Sequence, residues 1–542
     1  MNIKINVKEI IYEAIKNLNI DCDYNDIVIE VPKLRQNGDF SCVIAMKLAK
    51  TLKQNPRQIA EEIKGKILNY NEIEKVEIAG PGFINIFLNN KYVFSGISKV
   101  IEEKDNYGKV NLGNGKKVNV EFVSANPTGI LHLGTARGAA YGMNLSNILS
   151  FAGFNVTKEY YINDAGNQIN NLGMSIKERY KGLCGLEENM PEDGYYGTEI
   201  VEIAKGIKEK YEHSKLNADL SFFKELGVDF LLGVIKKDLS DFGVTFDVWT
   251  SEKSIRTKGR IEESLEILND KGLVYKKDDA TFLRTTVYGD DKDRVLIKTD
   301  GSYTYLVPDI AYHLDKFDRG FDELVDVFGA DHHSYVSRLK ASIEALGYDK
   351  NKLEVKLLQM VKLLRGGNVV KMSKRTGGNI TIRELIDEIG KDAARYFFAM
   401  RSLDGQMDFD IDLALKKTNE NPLYYVEYAH ARICSILKDA KQRNISFDNE
   451  INVVNDEDSK ALILKVYEFS DVVSSAALKK EPHLITNYVY ELAGMFHNYY
   501  GKHRILTDDV CESQERLSII KTVQITIKNA LRLIGVKAID KM

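Results

Sequence analysis

The sequence predicts an α/β protein: a doubly wound, parallel-sheet nucleotide-binding core with an N-terminal α+β module and a C-terminal all-α helical bundle. Three observations predict it. A β-branched run at Val118–Val123 passes through the turn Asn126-Pro-Thr-Gly129 into small and apolar residues with helical spacing from Leu133 to Ser150, and a second strand pattern follows at Asn155–Ile162. Strand, glycine turn, helix, strand is how such a sheet begins. Before Asn106, short β-like runs alternate with amphipathic helical stretches, and after about Lys416 strand signals nearly vanish.

At roughly 150 residues per domain, a chain of 542 residues has room for about three or four domains. Apolar residues at 44%, charged residues at 28% and only 8 prolines exclude a disordered chain. Lys+Arg 75 against Asp+Glu 79 excludes a polycation that coats nucleic acid, so any such partner is met by local patches. Five cysteines without a Cys-x-x-Cys pair suggest neither a disulfide framework nor a zinc site, and no residues are assigned to a metal. No signal-peptide core or apolar membrane-length run occurs, so a cytoplasmic protein without a membrane partner is expected.

The first module, residues 1–106, is read from an amphipathic helix beginning near Val7, a helical stretch at Val43–Leu52, and β-like runs at Asp26–Pro32 and Val76–Leu88, the latter broken by Gly80-Pro81-Gly82. A polar, glycine-rich boundary at Tyr107 opens the core, residues 107–415. Asp164–Lys253 is charged, helical in period and too long for an ordinary strand-to-helix connection, so residues at about 164–253 are expected to be a helical insertion. Segments at Ala280–Val287, Val295–Lys298, Glu323–Phe328 and Leu353–Leu357 are expected to complete the same sheet. Residues 416–542 form the bundle.

Two motifs carry chemistry. Pro127-Thr-Gly-Ile-Leu-His132-Leu-Gly134-Thr135 lies where a strand gives way to a helix N-terminus, which presents free N–H groups and positive dipole to anions. Alone, His132 fits a buried structural histidine as well. The second is the basic segment Lys371-Met372-Ser373-Lys374-Arg375, with glycines on both sides. Its lysines suit charge that grows on a polyphosphate, though an isolated Lys-x-x-Lys also fits a solvated turn.

Together, His132-Leu-Gly-Thr and Lys371-Met-Ser-Lys-Arg resemble the paired signatures of class I aminoacyl-tRNA synthetases. The flanking segments Glu121-Phe-Val-Ser-Ala-Asn126, Tyr160-Tyr-Ile-Asn-Asp, Tyr305-Leu-Val-Pro-Asp309, Gly329-Ala-Asp-His-His333 and Asn421-Pro-Leu-Tyr-Tyr narrow the resemblance to the arginyl-tRNA synthetases. The resemblance implies ATP with Mg²⁺, L-arginine and tRNA(Arg) as partners, and a monomer. By it, His132, Thr135, Lys371 and Lys374 are catalytic, and His132, Gly134, Thr135, Gly138 and Lys371–Lys374, including Met372 and Ser373, bind ATP. Glu121 and Asp309 hold the guanidinium, and Ser124, Asn126, His132, Asp331 and His332 complete the arginine site, with Tyr305 packed over the side chain. Phe83 and Asn85 contact tRNA, residues 416–542 bind the anticodon, and 371–375 are the signature loop. The turn at Gly80–Asn85 fits a plain β-turn equally well, and Tyr424, Tyr425 and Tyr428 fit bundle core, so none of the three is assigned. Carboxylates at fixed angles suit the planar guanidinium fork. The family pattern has a second histidine where Thr135 stands; this is the one feature that favours a tRNA-binding paralogue without activity.

Overall fold

The computed structural model describes residues 2–370, 380–447 and 450–542. Five short strands make the central sheet: β1 (Lys117–Glu121), β2 (Asn155–Ile162), β3 (Val248–Ser251), β4 (Glu323–Gly329) and β5 (Leu353–Leu358). They run in the order β5-β4-β1-β2-β3 and every neighbouring pair is parallel. The strand order reverses between β1 and β4, so the crevice for a ligand opens there, beyond their carboxyl ends. Helix α1 (Leu133–Phe151) follows β1 and packs its small residues tightly: a Cβ at Gly142 would meet the Phe122 ring at 2.1 Å.

Two expectations about this sheet need correcting. Ala280–Leu283 and Arg294–Ile297 do not join it; with Val274–Lys277 they form a separate antiparallel sheet. The reason is local. Asp278 and Asp279 both take positive φ, 49° and 58°, between Lys277 and its partner Ala280. A two-residue turn of that kind folds the chain back into a hairpin, whereas parallel strands need a long crossover. Conversely Val248–Ser251, inside the stretch expected to be helical, is edge strand β3, while the helices Asn167–Leu183, Thr198–Tyr211 and Leu220–Asp241 occupy the remainder.

The N-terminal module carries a four-stranded antiparallel sheet under the helices Ile3–Lys16, Ile44–Leu52 and Pro56–Ile67. It docks on the helical C-terminal region through buried polar contacts. The Lys460 ammonium donates to Leu88 O at 2.8 Å and pairs with Asp39 at 2.8 Å, and the Tyr467 hydroxyl donates to Val93 O at 2.8 Å. Among the described residues, no helix is long and apolar enough to cross a membrane.

Helix α2 (Leu306–Asp318) covers the face of the sheet above the crevice, α3 (Lys391–Ala399) lies near the end of the core, and α4 (Pro422–Gln442) and α5 (Val510–Leu533) belong to the helical half. Arg395 on α3 joins three parts of the molecule. Its guanidinium is wholly buried and donates to Asn144 Oδ1 on α1 at 2.5 Å, to Gly243 O behind the inserted helices at 2.9 Å, and to Ile534 O at the end of α5 at 3.1 Å. Burial pulls its pKa down to about 10, which leaves it charged at neutral pH.

Candidate active site

A cleft of about 1030 Å³ opens at the reversal point of the sheet. His132, Gly134, Thr135 and Gly138 line it from the start of α1, Asp331 from the turn after β4, and Leu358–Leu363 from the opposite wall. The chain reaches it through strain. Val123 and Ser124 have φ of 72° and 39°, and the Ser124 amide donates back to Phe122 O at 3.0 Å. A β-branched residue in that region is a costly outlier of the kind held at functional sites. Here the tight turn aims Ser124 Oγ at Glu121 Oε1, 2.8 Å away.

His132 caps α1 with extended backbone and makes no side-chain capping bond, so its ring is free to face the cleft. Partial desolvation lowers its pKa, which favours a neutral imidazole. A Cβ on Gly134 would lie 3.2 Å from that ring, and one on Gly138 would lie 3.2 Å from the Leu358 side chain, so both glycines keep room at the helix start. Leu133 N donates to Ile380 O at 2.9 Å and Ile382 N to Leu131 O at 3.0 Å, tying the His132 loop to the residues that follow the basic motif. Lys371, Met372, Ser373 and Lys374 lie outside the described residues; Val370 and Ile380, which bracket them, both line the cleft.

Behind the cleft lies a row of carboxylates. Asp326 on β4, Glu121 on β1 and Glu159 on β2 stand in register across three neighbouring strands, so all three point to one face, where α2 meets them. Lys316, fully buried, donates to Glu121 at 2.5 Å and to Asp326 at 2.9 Å, while Arg319 serves Glu159 at 2.8 Å. His313 bridges Asp326 Oδ2 at 2.8 Å and the Asp309 carbonyl at 2.7 Å. Burial opposes the charge on Lys316, but Asp326 and Glu121 outweigh it and raise its pKa. Burial likewise works against ionised Asp326, yet Lys316 and His313 hold it near 2. Glu121, by contrast, is raised by burial more than Lys316 lowers it.

One ammonium is thus shared by two carboxylates, and Asp309 adds a third nearby. Burial lifts the Asp309 pKa to about 6 despite the Tyr335 hydroxyl that donates to its Oδ2. Asp309 sits in the first turn of α2, after the separate hairpin sheet, and not at the end of a strand of the central sheet. Burial works against a charged His313, yet Asp326 raises its pKa. With His313, Lys316 and Arg319 as cations against Glu121, Asp326, Glu159 and Asp309, one carboxylate is left over, a balance a cationic side chain corrects.

The other expected residues are placed less uniformly. Asn126 donates to Gln168 Oε1 at 2.6 Å, Asp331 and His332 pair at 3.6 Å on the cleft rim, and Tyr305 is 82% exposed. Phe83 stands out at the tip of its turn, but Asn85 is buried on the following strand, where its Oδ1 accepts from Ser41. Tyr424 and Tyr428 stack in parallel on one half-buried face of α4, with Arg432 against Tyr428.

Residues 96–402 match the family model described as "tRNA synthetases class I (R), catalytic domain", residues 6–88 "Arginyl tRNA synthetase N terminal domain", and residues 426–542 "DALR anticodon binding domain". The arginine--tRNA ligase of Bacillus licheniformis is 50% identical over 560 residues, covering all of both chains. The chain belongs to the arginyl-tRNA synthetases. The structure of Thermus thermophilus arginyl-tRNA synthetase shares the fold, at TM-score 0.75 and 20% identity over 99% of this chain and all of its own. Mycobacterium tuberculosis methionyl-tRNA synthetase in complex with methionyl-adenylate superposes more loosely, at TM-score 0.55 and 12% identity, over 77% of this chain and 90% of that one.

Within this synthetase, reading the sequence missed Lys316, Asp326, His313 and Tyr335. A signal existed: Asp309, His313 and Lys316 recur at helical spacing along one face of a helix whose other charges, Asp315 and Asp318, lie off that face, which marks a charged stripe. It also missed Arg137. This residue of α1 is 1% exposed and donates to Gln359 O at 2.8 Å, Ser402 O at 2.7 Å and Gly405 O at 2.9 Å, holding both walls of the cleft against the signature helix. A lysine ammonium offers its three donors from one point and cannot match a fork whose Nη1 meets Gln359 O while Nη2 meets Ser402 O and Gly405 O. Arg137→Lys is therefore expected to raise the KM for ATP about tenfold with little change in that for arginine, measured by pyrophosphate exchange. Equal shifts in both constants would make Arg137 a support of the fold alone.

Proposed function

We propose that the chain ligates L-arginine to tRNA(Arg), with the carboxylate row and Asp309 selecting the amino acid and the start of α1 receiving ATP. The observation that carries this is the single buried ammonium shared by Glu121 and Asp326 beside an ionisable Asp309. That leaves a net negative pocket next to a helix N-terminus suited to phosphate. The arginine carboxylate attacks the α-phosphorus of ATP in line and pyrophosphate departs. A ribose hydroxyl of the terminal tRNA adenosine, the 2′-OH, then attacks the arginyl-adenylate and AMP leaves. No covalent enzyme intermediate is needed; the protein positions reactants and stabilises charge.

In this reading Asp309 and Glu121 take the guanidinium, with Ser124 and Lys316 fixing the Glu121 carboxylate. Asn126 and the Asp331–His332 rim hold the α-amino end, and Tyr305 closes over the side chain. His132 and Thr135 donate to the phosphates, Gly134 and Gly138 leave space for the nucleoside, and Lys371 and Lys374, with Met372 and Ser373 between them, meet the β,γ-charge. ATP is taken with its Mg²⁺; Asp331 and Asp408, the acidic residues on the described cleft wall, are the oxygen ligands at hand. Phe83 stacks on a tRNA base, Asn85 holds the turn that presents it, and the domain at 426–542 receives the anticodon. Five free thiols suit a cytoplasmic setting.

The test is a charging assay with total tRNA and each of the twenty labelled amino acids: arginine alone should be attached. Thr135 separates this enzyme from a silent tRNA-binding paralogue. A hydroxyl donates one neutral hydrogen bond, worth about 1 kcal/mol, so Thr135→Ala should lower turnover by roughly one decade or less. A native chain that binds tRNA but shows no arginine-dependent pyrophosphate exchange, with tRNA present, would overturn the proposal.

A further inference from the structure

In the C-terminal helical region, among residues that do not line the cleft, three donor atoms of different kinds converge. His430 and Cys434 are one turn apart on α4, and Asp540 comes from the tail after α5. Cys434 Sγ lies 3.6 Å from His430 Nδ1 and 3.5 Å from Asp540 Oδ1, and the third edge, His430 Nδ1 to Asp540 Oδ1, is 3.9 Å. A zinc ion with Zn–S of about 2.3 Å and Zn–N or Zn–O of about 2.0–2.2 Å at tetrahedral angles sets such edges at about 3.3–3.6 Å. The triangle is therefore within a few tenths of an ångström of one face of a zinc tetrahedron.

We infer that His430, Cys434 and Asp540 form a binding site for a borderline-soft divalent cation of the zinc type, which clamps the C-terminal tail onto helix α4. The mixed nitrogen, sulfur and oxygen set suits zinc, whereas magnesium and calcium want oxygen throughout. The imidazole donates from Nδ1 to Ile539 O at 2.8 Å, while Nε2 is buried without a partner among the described residues. Binding the ion breaks the Nδ1–H bond to Ile539 O as that tail carbonyl turns away, moves the proton to the buried Nε2 and releases the Cys434 thiol proton to solvent, so the thiolate and Nδ1 both become ligands. Solvent fills the fourth position, and the Gln524 amide, which donates to Cys434 Sγ at 3.5 Å, supports the thiolate. Both protein elements are fixed before the ion arrives: α4 lies against α5, and His430 is 1% exposed. Asp540 alone stands in solvent, its side chain 84% exposed, so the ion's gain falls on the tail.

The experiment uses the full-length chain stripped of metal by chelation and titrated with Cd²⁺, whose thiolate absorption reports sulfur ligation directly. One equivalent should produce the band. Cys434→Ser should abolish it, and Asp540→Asn, a change on an exposed tail that cannot unfold the protein, should weaken binding at least about tenfold. Zn²⁺ should compete for the site and slow release of the last residues by carboxypeptidase in the native chain but not in Asp540→Asn. A one-equivalent band that survives in Cys434→Ser would place the ion on another thiol, such as exposed Cys511, and overturn the inference. So would an affinity that Asp540→Asn leaves unchanged, or no band at all.

Discussion

Asp309→Asn is expected to raise the KM for arginine by about two to three decades while moving that for ATP little. Removing one partner of a buried charge pair costs about 3–5 kcal/mol, because the guanidinium is then desolvated with too little negative charge to meet it. Glu121→Gln should follow the same direction, and it carries an added cost: Lys316 would keep only Asp326 as a carboxylate partner. The pH profile gives an independent reading. Burial lifts Asp309 above its ordinary range to about 6, so the carboxylate is protonated as pH falls through that value and the arginine KM should climb, by up to tenfold per unit below it. The native state also holds this proton more tightly than the unfolded chain does. Asp309 therefore costs no stability at low pH and subtracts stability as pH rises toward 6. Both dependences should disappear in Asp309→Asn. Arginine kinetics unchanged in both carboxylate variants would remove the proposed pocket.

Lys374→Ala should lower the rate of adenylate formation by about 10²–10³ with much smaller changes in substrate binding. A charge that matters only as pyrophosphate departs is felt in the transition state and not in the ground state. Single-turnover adenylate formation with saturating ATP and arginine separates the two. If the substitution altered only tRNA affinity, the basic motif would be a nucleic-acid contact.

Much of the frame was legible because its signals are local. Strand β1, the His132 loop and α1 follow one another within a short stretch, and a change from β-branched to small helical residues marks the join. What was not legible depends on distant partners. Nothing within Ala280–Ile297 says that its strands pair with each other and not with β1; only the Asp278-Asp279 turn did, and it is two acidic residues without a glycine. β3 is four residues long, too short for a period to emerge beside three helices. In the site, Glu121 and Asp309 could be picked out as carboxylates suited to a guanidinium, but that Lys316 is shared by Glu121 and Asp326 is a fact of register between β1, β4 and α2. Asn85 was legible as a polar residue at a turn, but its bond to Ser41, from a strand far earlier in the chain, was not. His430 and Cys434 escaped notice for the same reason, since Asp540 is remote in sequence.

Arg395 bears on how the molecule comes apart. A guanidinium sealed among Asn144, Gly243 and Ile534 cannot lose one acceptor cheaply, because water does not reach the vacated position. Opening the end of α5 thus exposes a buried charge inside the catalytic half. The two halves should open as one foldon: amide exchange in the last turn of α5 and along α1 would share a single protection free energy, and denaturant would unfold the signature helix and the C-terminal bundle in one transition.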